Sequence, residues 1–159
     1  MLMRPSITKK YDRKVRLLVT NVCSKNCSFC HNEGMPKDGK LHLPLYELKK
    51  ILHDLKRYSS RIMLSGGDPL EYPYLAELIS MLGGYEFDIS VNTSLPPRCD
   101  FDEIDNVLEK IANIHVSIPN VLEIDDIESR ILRLYKRHKM LQFVLNVPVT
   151  NYSNIKNNY

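Results

Sequence analysis

What most constrains this chain is an alternation of two hydrophobic periods. Short strand-like runs recur between stripes of period 3.6, which are helical. The spacing predicts strands over Val15–Thr20, Arg61–Ser65, Phe87–Asn92, Ile114–Ile118 and Phe143–Val147. Between them lie four helical stripes: Leu45, Leu48, Leu52 and Leu55; Leu75, Leu78, Ile79 and Leu82; Ile104, Val107, Leu108 and Ile111; Ile124, Ile127, Ile131 and Leu134. Pro44 is suited to the first position of the first helix, where its missing N–H costs little. Gly83-Gly84 stops the second helix, and Asp100 with Glu103 makes a capping box for the third. Strand alternating with helix predicts a parallel α/β sheet with right-handed crossovers. At 159 residues the chain is one domain, too short for an eight-fold β/α barrel of about 250 residues.

The third and fourth strands depart from the nearly continuous apolar run of a parallel strand covered on both faces. Asp88, Ser90 and Asn92 share one face, as do His115 and Ser117; Asn146 lies in the fifth strand. A polar face buried without partners is costly, so this face is expected to line an open concavity holding water or a polar ligand. Ile89, Val91, Val116 and Ile118 are then expected under the helices.

Charge narrows the partners. With 22 basic and 19 acidic residues the net charge is +3, not the strong basic footprint of a nucleic-acid binder. No run approaches the roughly 20 apolar residues of a membrane span. The start of the chain has no apolar leader, so a cytoplasmic protein is expected. Residues 1–14 are a basic N-terminal extension, 15–150 the core domain, and 151–159 a polar, Asn-rich tail expected to be poorly ordered.

The chemistry concentrates in Cys23-Ser-Lys-Asn-Cys27-Ser-Phe-Cys30-His31, just after the first strand. In a reducing compartment such a cluster points to metal rather than disulfides. Thiolates select zinc, copper or iron–sulfur centres. Four readings fit: zinc with His31 as fourth ligand; covalent haem attachment at Cys27-Ser-Phe-Cys30-His31; an electron-carrying cluster needing the remote Cys99; or a cluster on three cysteines that leaves one iron open. Cys99 reads as a small hydrophobe and His115 as a polar residue of the concavity.

These residues resemble the radical S-adenosylmethionine superfamily. Its CxxxCx(aromatic)C signature is matched by Cys23, Cys27, Phe29 and Cys30. Ser65-Gly66-Gly67-Asp68-Pro69-Leu70 is similar to the superfamily's Gly-Gly-Glu-Pro motif, with Asp for Glu, and follows the second strand as that motif does. Asn92-Thr93-Ser94 resembles the Thr-Asn-Gly turn after strand three, and Ser117 matches a polar cofactor contact on strand four. The resemblance spans residues 15–147. It implies a partial parallel β/α barrel of the (β/α)6 type, here truncated to about five strands. It implies Cys23, Cys27 and Cys30 on a [4Fe–4S] cluster whose fourth iron is chelated by S-adenosylmethionine. Gly66 and Gly67 would let backbone approach the methionine ammonium, balanced by Asp68 and followed by Pro69. Phe29 would pack on adenine, and Asn92 and Ser117 would reach ribose or carboxylate. A ferredoxin or flavodoxin would reduce the cluster, and the 5′-deoxyadenosyl radical would take hydrogen from a substrate.

Two subfamilies are similar in different parts. Cys30-His31-Asn32-Glu33-Gly34 resembles archaeal-type molybdenum-cofactor GTP cyclases and related peptide-modifying enzymes. The short length and Ser-Gly-Gly-Asp-Pro-Leu resemble the small activating enzymes that install glycyl radicals on partner proteins. An enzyme of unassigned substrate is expected, with a glycyl-radical activase as the alternative and a non-catalytic iron–sulfur or zinc-binding protein as a third reading. A protein or peptide substrate, or a homodimer, would close the open side of a short barrel.

Overall fold

Five strands pair in the order of the chain: β1 (Lys14–Thr20), β2 (Arg61–Gly66), β3 (Asp88–Thr93), β4 (Ile111–Ser117) and β5 (Gln142–Asn146). Every pairing is parallel. The helices α1 (Leu45–Tyr58), α2 (Leu75–Gly84), α3 (Phe101–Leu108) and α4 (Ile124–Arg137) make the crossovers. Short 3-10 turns at Pro69–Glu71 and Val121–Glu123 follow β2 and β4. This computed structural model describes residues 13–25, 27, 30, 38–97, 99 and 101–147, apart from the side chains of Glu103 and Val121. The predicted α/β partial barrel is therefore present with five strands. Phe29, the Asp100–Glu103 capping box, most of the N-terminal extension and the whole tail lie outside the described residues. Among the described residues no helix is long and apolar enough to cross a membrane.

Register sorts the side chains into two faces. Leu17, Leu64, Val91, Ile114 and Phe143 align across all five strands. All five belong to the hydrophobic core or pack against it. One residue earlier the row is polar but for Met63: Arg16, Met63, Ser90, Asn113 and Gln142. Asn92 sits beside His115, and Ser117 beside Asn146, on that same polar face. The expected division holds: Ile89, Val91, Val116 and Ile118 are core residues, while Asn92, His115 and Ser117 are half-buried. Ser90 is the most enclosed of the polar set, and Asp88 lies exposed at the start of β3.

Helix stripes also sit as expected, with Leu48, Leu52, Leu75, Leu78, Ile79, Leu82, Ile127 and Leu134 buried. Ile124 is the exception, exposed at the rim where α4 begins. Pro44 is the N-cap of α1 rather than its first residue, and its carbonyl accepts from the Glu47 and Leu48 amides. The larger correction is at β4. Ile111 continues the α3 stripe by spacing, yet α3 ends at Leu108 and Ile111 opens β4 beside Ile89. A shift in register leaves Ala112 as an extra residue before Ser90 meets Asn113. Spacing alone does not separate a helix stripe from a strand that starts one turn later.

Candidate functional site

The cysteines leave the sheet at the C-terminal end of β1, and that end is fastened on several sides. Register shifts between Leu18 and Thr20, so Thr20 meets Gly66 across an irregularity that redirects both chains. The Gly67 amide then donates to the Thr20 carbonyl at 2.6 Å, and the Asp68 amide to the Val22 carbonyl at 2.7 Å. Gly66 has φ +122°, and a Cβ there would lie 2.3 Å from the Thr20 carbonyl oxygen. A Cβ on Gly67 would lie 2.1 Å from that of Val22. These glycines are required by the approach of β1's own backbone, before any ligand is considered.

The segment bearing the cysteines is drawn together at its neck. The Leu43 amide donates to the Val19 carbonyl, and the Asn21 amide to the Leu41 carbonyl. The Asn21 side chain donates to the Gly39 carbonyl and accepts from the Leu41 amide. The Thr20 hydroxyl lies 3.0 Å from Nδ1 of His42. Beyond the neck, the Ser24 amide donates to Glu71 at 3.0 Å, and Lys25 is ion-paired with Glu123. The Cys30 amide donates to the Cys27 carbonyl, a turn that brings these two cysteines together. Burial pushes the Cys27 thiol up, Cys30 adds to this, and Lys25 opposes it.

Asp68 is nearly inaccessible, and its carboxylate faces inward. One oxygen accepts from the Leu70 amide and the Thr93 hydroxyl, the other from the Ser94 amide and hydroxyl, at 2.6–3.0 Å. Burial pushes its pKa up, and these hydrogen bonds oppose that. With about four acceptor sites on a carboxylate, little is left for a ligand. Asp68 thus ties the turn after β2 to the turn after β3, rather than standing ready to balance an ammonium. The same knot holds Leu95 at φ +50°, a backbone state rare for so bulky a residue. Thr93 accepts from the Leu95 amide, and Arg130 donates to the Leu95 carbonyl. Pro69 is buried and opens the 3-10 turn.

Asn92 and Ser117, expected in one concavity, are brought together: the Ser117 hydroxyl is 3.5 Å from Asn92 Oδ1, the outer limit of a hydrogen bond. His115 has its pKa lowered by burial and by Lys14. Cys99 packs against the hydrophobic core, in keeping with a small hydrophobe. None of the four cysteines is in a disulfide. Among the described residues no three His, Cys, Asp or Glu side chains stand together closely enough to hold a metal ion. The donor set nonetheless fits a soft-metal cluster: three thiols on one segment, with the Cys30 amide bonded to the Cys27 carbonyl, at the strand ends where α/β sheets bind ligands. Sequence reading missed Thr20, His42, Lys25, Glu71, Glu123 and the Thr93–Ser94 partners of Asp68. Two of these share a signal, since Glu71 and Glu123 each end a short turn just past a strand.

The profile of the Radical SAM superfamily matches residues 17–148, which is most of the chain. The chain belongs to this superfamily. Its members are enzymes that use a [4Fe–4S] cluster and S-adenosylmethionine. Similar proteins include a probable GTP 3′,8-cyclase of Methanococcus maripaludis, 36% identical over 91 residues, covering 54% of this chain and 30% of the relative. Another, of Methanothermobacter thermautotrophicus, is 34% identical over 83 residues, covering 50% and 27%. A third, of Pyrococcus abyssi, is 30% identical over 81 residues, covering 50% and 26%. The matches thus span under a third of these relatives.

Proposed function

We propose that this chain is a radical S-adenosylmethionine enzyme that holds a [4Fe–4S] cluster on Cys23, Cys27 and Cys30 and acts on a substrate yet to be assigned. The observation that carries this reading is the fastening of the Cys23 turn to the Gly66-Gly67-Asp68 turn through backbone bonds to Thr20 and Val22. It joins the two motifs at one rim of the sheet. When bound, the cluster and S-adenosylmethionine would supply one-electron reductive chemistry that yields a hydrogen-abstracting radical. The chain's residues bind, orient and exclude water. Cys23, Cys27 and Cys30 are the soft ligands. Gly66, Gly67 and Pro69 shape the methionine end through backbone, with Asp68 fixing that turn from behind. Asn92 and Ser117 offer an amide and a hydroxyl on the polar face for ribose or carboxylate, and Phe29 is assigned to the adenine. A ferredoxin or flavodoxin is the proposed electron donor.

Anaerobic reconstitution tests the reading. About four irons per chain are expected. Cys27→Ala is expected to lose them and Cys99→Ala to keep them. Dithionite reduction with S-adenosylmethionine should then yield 5′-deoxyadenosine. A Cys27→Ala protein with full iron removes the cluster assignment.

The β5 side favours a large substrate. Val144, Leu145 and Val147 are 40%, 54% and 49% exposed there. A protein or peptide laid along this side would cover them, which supports a glycyl-radical activase as the second reading. GTP, named for the relatives, is the small-molecule competitor. Turnover of GTP by reconstituted protein, with no added polypeptide, would decide against the activase.

A further inference from the structure

Glu71 and Glu123 stand in matching places. Each ends a 3-10 turn, one after β2 and one after β4. They reach neighbouring residues, Glu71 to Ser24 and Glu123 to Lys25, in the turn between Cys23 and Cys27. Glu71 Oε1 accepts from the Ser24 amide, and Glu123 Oε2 from the Lys25 ammonium. The Lys25 side chain is only 14% exposed, unusual for lysine unless paired. On the other side of Cys23, the Val22 amide donates to the Thr20 hydroxyl and the Val22 carbonyl accepts from Asp68. The chain is therefore held immediately before and immediately after the first cysteine, by groups from β1 and from the turns that follow β2 and β4.

Neither glutamate has an evident role in the fold's core. The two turns would close without them, and a partly exposed ion pair contributes little to stability. A role in setting the turn explains both. Resting on the assignment of Cys23, Cys27 and Cys30 to a cluster, we propose that Glu71 and Glu123 are positioning residues. They clamp the Ser24-Lys25 turn from two sides and fix the spacing of Cys23 and Cys27 for cluster binding, without touching the cluster. Partners around a metal site orient its ligands, and losing one commonly weakens metal binding 10–100-fold.

The test is iron retention by full-length reconstituted protein, followed as the rate of iron release to excess chelator under anaerobic conditions. Glu71→Ala and Glu123→Ala are each expected to release iron about tenfold faster than wild type. Glu71→Gln keeps an acceptor oxygen for the Ser24 amide and is expected to behave as wild type. The charge exchange Lys25→Glu with Glu123→Lys is expected to recover most of the loss seen in Glu123→Ala. Melting of the metal-free chains is recorded alongside. A merely structural role would lower all melts and would not separate Glu71→Gln from Glu71→Ala in iron release. Wild-type release rates in both alanine variants overturn the clamp while leaving the cysteine assignment intact. Failure of wild-type protein to take up iron at all overturns both.

Discussion

Replacing Gly67 by Ala probes the junction on which the site rests. The added Cβ would meet the Val22 carbonyl oxygen at 2.1 Å, the Val22 carbonyl carbon at 2.6 Å and the Asn21 carbonyl carbon at 2.7 Å. All three are backbone atoms, so no side chain can swing aside. The chains must separate, and the Gly67–Thr20 and Asp68–Val22 hydrogen bonds lengthen or break. Two such bonds at about 1 kcal/mol each, with overpacking of about 2 kcal/mol, give a loss of about 4 kcal/mol. For a domain of this size that lowers the melting temperature by about 12 °C. Gly84→Ala is the matched control. That glycine ends α2, has no positive φ and has nothing within 4 Å of an added Cβ, so the change should hold or raise stability by up to about 1 kcal/mol. Thermal and urea melts followed by far-ultraviolet circular dichroism measure both. A Gly67→Ala protein that melts with the wild type would refute the argument that these glycines serve the approach of β1.

Asp68→Asn places an amide N–H₂ against donors that now face an oxygen, and is expected to destabilise the chain by about 3 kcal/mol in urea melts. A neutral result there would mean that the buried acid is protonated and already donates a bond. Hydrogen bonds from Arg137 to Asp102 and from His138 to Asp105 hold both carboxyls below their ordinary value. Their contribution between α3 and α4 is complete above that value and is lost as pH falls through the lowered one. Between about pH 5 and about pH 3, wild type should therefore lose more of its urea midpoint than Asp102→Asn with Asp105→Asn does. His115 should titrate below its ordinary value by NMR. Lys14→Met should return part of that shift, since burial is the larger cause and Lys14 the smaller.

The architecture was legible because β3 and β4 alternate apolar with polar residues and the helices carry one apolar stripe. Ile89 and Val91 against Ser90 and Asn92 already state which side meets the helices. Ile111 was misread because a residue seven after Ile104 fits a helix whether or not the helix continues. The cysteine, Gly-Gly-Asp and Asn92–Ser117 positions were visible as motifs, but their mechanics were not. That Gly67 faces Val22, and that Asp68 receives Thr93 and Ser94, follows from strand pairing across some 25–45 residues. No local pattern encodes such a pair. The reach of Glu123 back to Lys25, 98 positions earlier, is the extreme case.

The sheet order, each strand beside its immediate successor, has a consequence for synthesis. As the chain leaves the ribosome, each fastening of the cysteine segment needs only residues already made. The neck can close once Leu43 has emerged, the glycine junction once Asp68 has, the aspartate knot after Ser94, and the lysine latch after Glu123. The fastenings of the site thus become possible in chain order, with the cysteine-bearing turn made early and its last partner, Glu123, made late.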